Sequence, residues 1–370
     1  MNYLNDLEKI ININSYTKNK DGVDAVGKIF DTWFDDLDFK ANIHDRGSIG
    51  NHRHYTSKYD ENSKRLLLLG HLDTVFPPNI FENYSEDEEW IYGPGVCDMK
   101  GGNIIALQAL RNLKKKNIEI KNIDVLFVSD EETGSDDSKY LTAKLAKEYD
   151  YCFVYEAAGK NMEVVTARKG VGTFFIDIQG KAAHAGNHYI QGHDANLEAS
   201  FKLQKLVELT DIDKGTTVNV GKIEGGIGAN TISPYANIVF ELRYKLLHEK
   251  QRVLKEIDKI VQTSFVKGTI STLSGGIQRD VMQTSKESLE FIQNIQNITN
   301  TILKHEERGG VSDANIVSSC GVLTLDGFGP FGDGDHTIKE RASKKSFKDR
   351  IDLSEKLFMH FIKKSDFKGV

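Results

Sequence analysis

Cysteine is scarce: three residues in 370, Cys97, Cys152 and Cys320, far apart and with no CxxC pair. An odd, scattered set offers no disulfide framework, and it fits a reducing cytoplasmic setting. Proline is scarcer than glycine, five against 32, so turns are plentiful while Pro-rich linkers are missing. Positive charge is in deficit, 48 Lys and Arg against 54 Asp and Glu for a net of −6. With no long basic block either, nucleic acid and an anionic membrane are not expected as main partners. No apolar run approaches the ~18 residues of a membrane span. The first residues, MNYLNDLEKIININSYTKNK, lack a basic start followed by an unbroken apolar stretch, so a cleaved export signal is not expected.

What the chain does have is a globular balance, 39% hydrophobic and 28% charged. At a prior of about 150 residues per domain, its length suggests roughly two domains. Short apolar runs bounded by glycine or acidic residues read as strands: 66–69, 123–128, 151–155 and 322–325. Helical spacing follows several of them. Ala106, Leu110 and Leu113 share a face after Gly101 and Gly102, Lys114 to Lys116 suit a helix C-terminus, and Leu353, Leu357 and Phe361 mark a closing helix. Such alternation is the mark of an α/β domain. The middle of the chain differs: strands at 172–179, 217–223, 237–244 and 269–273 and two intervening helical patterns run in the order βαββαβ. That is a ferredoxin-like unit interrupting the larger domain.

The residues with chemical potential gather at strand carboxyl ends. His71 and Asp73 follow the first strand, Asp130, Glu131 and Glu132 the second, Glu156 the third, and His336 lies beyond the fourth. Ligands bind at that edge of open α/β sheets, where the loops converge. Asp98, in the glycine-rich loop GPGVCDMKGG, can join them. Two imidazoles and several carboxylates in one place are costly unless a cation neutralises them. Two histidines with three carboxylates is a donor mix for zinc or a similar divalent ion. Because five ligands exceed the needs of one open catalytic ion, a carboxylate bridging two ions about 3.5–4 Å apart is the more economical use. If 131–132 is extended, the two glutamates point to opposite sides, so that one ligates and the other serves as base.

Four segments, HLDTV at 71–75, GPGVCDMKGG at 93–102, SDEETGS at 129–135 and DGDHTIKE at 333–340, resemble those of the M20 metallopeptidases. They are most similar to the carboxypeptidase G2 (glutamate carboxypeptidase) type, and KAAHAG at 181–186, GANTISP at 228–234 and ELRY at 241–244 extend the likeness over nearly the whole chain. The resemblance implies a mixed-sheet α/β zinc-peptidase domain, residues 1–169 and 281–370. The ferredoxin-like insert, 170–280, would then be a lid and homodimerisation domain. It also implies two Zn2+ per chain, with Co2+ or Mn2+ as substitutes, held by His71, Asp98 as the bridge, Glu132, Glu156 and His336. In the same pattern Glu131 is the general base, Asp73 holds the His71 ring by its second nitrogen, and His184 stabilises the oxyanion in the partner's active site. Asn230 and Arg243 match positions that bind a terminal carboxylate. Glutamate at 156 accompanies carboxypeptidases and deacylases. The implied activity is hydrolysis of an amide bond next to a C-terminal amino acid in a small peptide, with N-acyl-amino-acid deacylation or desuccinylation as the alternative. A non-catalytic metal-binding protein is a remoter one.

Other residues compete for roles. Arg279, and less so Arg168 and Lys169, offers a cation for a substrate carboxylate. Glu163 rivals Glu156 but lies several residues past its strand. His188 and His193 lie near His184 without acidic partners, and Cys97 reads as a small buried hydrophobe rather than a ligand. Cys97 before Asp98 and Asp335 before His336 depart from the family pattern.

Overall fold

Continuous apolar runs become the parallel strands of a mixed six-stranded sheet. In the computed structural model, which describes residues 3–367, its spatial order is Lys40–His44, His52–Thr56, Ile123–Val128, Leu66–His71, Tyr151–Val154, Leu323–Leu325. The last four run parallel and the first two pair antiparallel at one edge. Every residue of Leu66–His71, Ile123–Val128 and Tyr151–Val154 is buried, as strands covered on both faces require. Burying a leucine here is worth about 1.5–3 kcal/mol. The expected helix after the glycine pair is Lys100–Lys115, buried nearly all round rather than along one face, because the closing helix Lys344–Lys364 packs on it as well as the sheet core.

The glycine pair has a steric cause. A Cβ on Gly101 would stand 2.1 Å from the Val96 carbonyl oxygen, and one on Gly102 would stand 1.9 Å from that of Tyr155. Only glycine lets the helix start sit against both, which draws the loop carrying Asp98 up to the strand end that carries Glu156.

The chain forms two compact units. One holds the described residues to Ala167, Thr284–Arg308 and those from Ser312 on; the other holds Arg168–Gln283 and Gly309–Val311. In the second, Gly170–Gln179, Ala195–Val207, Thr217–Gly225, Tyr235–Tyr244, Leu247–Gln262 and Ile270–Arg279 realise the βαββαβ order. Its antiparallel sheet runs Thr217–Gly225, Tyr235–Tyr244, Gly170–Gln179, Ile270–Arg279. Ala236, Ile238, Phe240, Leu242 and Tyr244 are buried against the two helices, while alternate residues of that strand face the other way. The last strand runs six residues past the sequence expectation, to Arg279. Ser274, Gly275 and Gly276 break the apolar alternation, but the backbone ladder to Gly170–Gln179 continues through them and a bulge before Arg279.

Candidate metal centre

Sheet register sets the first donors. His71 ends its strand opposite Val128, and Glu156 follows the neighbouring strand by two residues. His71 Nε2 lies 3.1 Å from Asp98 Oδ1 and 3.8 Å from Glu156 Oε1. His336 Nε2 lies 3.3 Å from Asp98 Oδ2 and 3.2 Å from Glu132 Oε2. The two oxygens of Asp98 thus face different imidazoles, with Glu156 on one side and Glu132 on the other. Among the described residues, ligand atoms of His71, Asp98 and Glu132 all fall within 4.8 Å of one another, the one such group found.

The electrostatics of this crowd call for a cation. Burial and the charges of Asp98 and Glu131 push the Glu132 carboxyl up to about 8. Burial and Asp98 raise Glu156 well above the carboxylate range, against the pull of His71. Hydrogen bonds to Asp98 and Glu132 raise His336 to about 11. His71 is buried, which disfavours its charge, yet Asp73, Asp98 and Glu156 together drive its pKa upward. Without a cation the cluster holds itself together only with protons on its imidazoles and some carboxyls. A divalent ion could take the place of those protons, since imidazole nitrogen with carboxylate oxygen is the donor chemistry of zinc and its neighbours.

Asp73 meets the second nitrogen of His71 with two groups. Its backbone carbonyl, at 2.9 Å, is nearer His71 Nδ1 than its carboxylate, at 3.4 Å. The carboxylate accepts from Thr17 Oγ1 at 2.7 Å and from the backbone N–H groups of Glu131 and Glu132 at 3.3 and 3.2 Å. The buried Asp73 therefore fixes the tautomer of His71 and also the turn that presents both glutamates. That turn is not extended. Glu131–Thr133 forms a single 3-10 turn closed by Gly134 at φ 102°, so adjacent side chains diverge by about 120° rather than by strand alternation.

His184, Asn230, Arg243 and Arg279 lie in the second unit. His184 is exposed, and its Nδ1 accepts from the backbone N–H groups of Gly186 and Asn187 at 3.1 and 3.2 Å, which leaves its proton on Nε2. Asn230 sits on the facing loop, its carbonyl accepting from Ala185 N–H. Arg243 and Arg279 both stand opposite Val171, one on each neighbouring strand. Arg243 is held by Glu241 and by the Gly309 carbonyl, and Arg279 is buried. Arg168 donates to the Gly310 carbonyl, and burial with Lys245 and Arg243 nearby lowers the Lys169 pKa. Glu163 turns back to the Asn161 N–H at 2.7 Å, and Cys97 is buried with its thiol pushed up by that burial.

Three supporting residues escape sequence reasoning. Asn103 Nδ2 donates to the His71 carbonyl at 2.7 Å, Thr17 holds Asp73, and the buried Glu340 accepts from the backbone of the Asp98 loop. Glu340 had a visible signal, since it closes the segment DGDHTIKE, whereas Asn103 and Thr17 had none.

Comparison with known proteins identifies the family. The family model described as Peptidase family M20/M25/M40 matches residues 67–360. Carboxypeptidase G2 of Pseudomonas sp. (strain RS-16) is 27% identical over 371 residues, covering 95% of this chain and 88% of the relative. A succinyl-diaminopimelate desuccinylase of Rickettsia bellii is 26% identical over 363 residues, covering 90% of each. Among solved structures, aminopeptidase PepT from Bacillus cereus superposes with a TM-score of 0.81 at 21% identity, covering 98% of each chain, which speaks to fold alone. With a match that runs over most of the chain, from the strand that ends at His71 to the closing helix, the chain belongs to peptidase family M20/M25/M40.

Proposed function

We propose that this chain is a two-metal hydrolase cleaving an amide bond next to a C-terminal amino acid. The observation that carries the reading is the split of Asp98, one oxygen toward His71 and the other toward His336. His71, Glu156 and Asp98 would hold one ion; Asp98, Glu132 and His336 the other. Zinc, cobalt or manganese held by these residues would supply Lewis acidity toward the scissile carbonyl and the attacking water. Glu131, in the turn fixed by Asp73, takes the proton of that water and returns it to the leaving amine. His184 of a second copy, with its proton on Nε2, donates to the developing oxyanion. Arg243, Arg279 and Asn230 bind the substrate's carboxylate, for which the planar guanidinium fork is suited. We place the enzyme in the cytoplasm on its free, scattered cysteines, and no described helix is long and apolar enough to cross a membrane.

A second reading keeps the centre and changes the substrate to an N-acyl or N-succinyl amino acid. The likeness to a desuccinylase over 90% of the chain favours it. Elemental analysis paired with hydrolysis of dipeptides and N-acyl amino acids, before and after chelation, tests both. Two divalent ions per chain and chelator-sensitive release of a C-terminal amino acid support the proposal, and preference within the panel separates the readings. A folded chain that takes up no metal overturns both.

A further inference from the structure

The two sides of the centre are held in unequal ways. His71 ends one strand of the main sheet and Glu156 follows the adjacent strand by two residues; the His71 carbonyl accepts from Asn103 and the Glu156 carbonyl from the Gly329 N–H. His336 sits in no strand. It lies in a loop at φ 61°, with its side chain more than half exposed. That loop is tied down four residues later by Glu340, which is 1% exposed. One carboxylate oxygen of Glu340 accepts from the Cys97 and Asp98 N–H groups at 2.9 and 3.1 Å, and the other accepts from Gly95 N–H at 3.0 Å. Its backbone carbonyl accepts from Gly93 N–H at 3.4 Å, and its own N–H donates to Thr337 O at 3.1 Å. Just beyond, Arg341–Ser343 pairs with Trp90–Tyr92. A single side chain thus joins the loop presenting Asp98 to the loop presenting His336.

We propose that Glu340 is a positioning residue that sets the approach of His336 to Asp98, and so governs the ion shared by Asp98, Glu132 and His336 selectively over the ion on the His71 and Glu156 side. The inference rests on the two-ion reading above. Its physical basis is that three backbone donors converge on one buried carboxylate, so altering that group disturbs both loops at once. Of the groups on the other side, only the shared Asp98 hangs on Glu340, because His71 ends a buried strand and the Glu156 carbonyl is held by Gly329, whereas two of the three ligands of the Asp98, Glu132 and His336 set, Asp98 and His336, depend on it.

Calorimetric titration of Co2+ into metal-free protein, with the visible spectrum of bound Co2+ as a second readout, tests this. Wild type should take two ions. E340Q places an amide where an acceptor is needed, and should weaken one site by about 10–100-fold while moving the other by less than about threefold. E340D keeps the charge but shortens the reach by one methylene, and should show the same selective loss; it carries the test if thermal unfolding shows that the glutamine variant does not fold. Equal weakening of both sites, or no change in either variant, overturns the role of Glu340 and leaves the two-ion reading standing. A wild-type chain that takes only one ion overturns that reading and the inference with it.

Discussion

Glu131 and Glu132 are neighbours with the same side chain and opposite assignments, and the environment makes the difference. Glu132 reaches His336, whereas Glu131 is set beside it by the same Asp73 carboxylate. Replacing Glu131 with Gln keeps the shape and removes the base. Metal content measured by elemental analysis should stay at the wild-type value, while turnover falls by about 10²–10⁴-fold. A second residue-scale expectation concerns His44. Burial together with Arg46, His52 and Lys144 lowers its pKa. The unfolded chain therefore takes up this proton near pH 6.5 while the folded chain waits for lower pH. Between those two values the unfolded state holds more protons, so this group costs stability progressively as pH falls below 6.5. Thermal midpoints recorded from pH 7.5 to 5.5 should drop less steeply for His44→Gln than for wild type.

At the scale of elements, the helix Lys100–Lys115 acts as a ruler. Its start is pressed on the Tyr155 carbonyl, next to Glu156, through a contact that a methyl group would fill. Gly102→Ala should cost about 1–3 kcal/mol in denaturant unfolding, and should weaken metal binding because Asp98 and Glu156 are pushed apart. The sequence made the strands plain wherever burial on both faces demands a mainly apolar run, as in Ile123–Val128, whose ends fall where its hydrophobicity does and whose one charge, Asp124, is paired with Arg65. It understated Ile270–Arg279, whose outer half is held by backbone ladder bonds and shows no apolar pattern. The site was legible for a related reason. Donors had to follow strand ends, and four short segments marked them. Their supports were not, because Glu340 meets the Gly95 N–H across 245 residues, and Thr17 meets Asp73 across 56, so neither pairing leaves a local trace.

For the whole molecule, the question is whether one chain suffices. In the smaller unit, Leu197, Phe201 and Val207 on the helix Ala195–Val207 are all more than 40% exposed, and Thr217–Gly225 is an edge strand of the sheet that helix covers. An apolar helix face beside an open edge suits burial against a second copy. Light scattering should report a dimer for the wild type, and Phe201→Asp should shift the mass toward that of one chain. If His184 acts across the dimer, the same variant should lose turnover in proportion to the dimer it loses.

The long segment of the smaller unit begins and ends at one rung. Arg168 and Met282 exchange backbone hydrogen bonds at 2.9 and 3.1 Å, so more than a hundred residues of insert begin and end side by side. For the host chain the insert is a closed loop whose neck is already zipped. Once that neck forms, the entropy of joining the flanking segments no longer depends on what lies beyond it, and lengthening the loop adds only a logarithmic cost in any case. The neck lets the insert vary in size and surface while the host keeps its folding route. In this architecture, change within the insert and preservation of the main sheet are separable by construction.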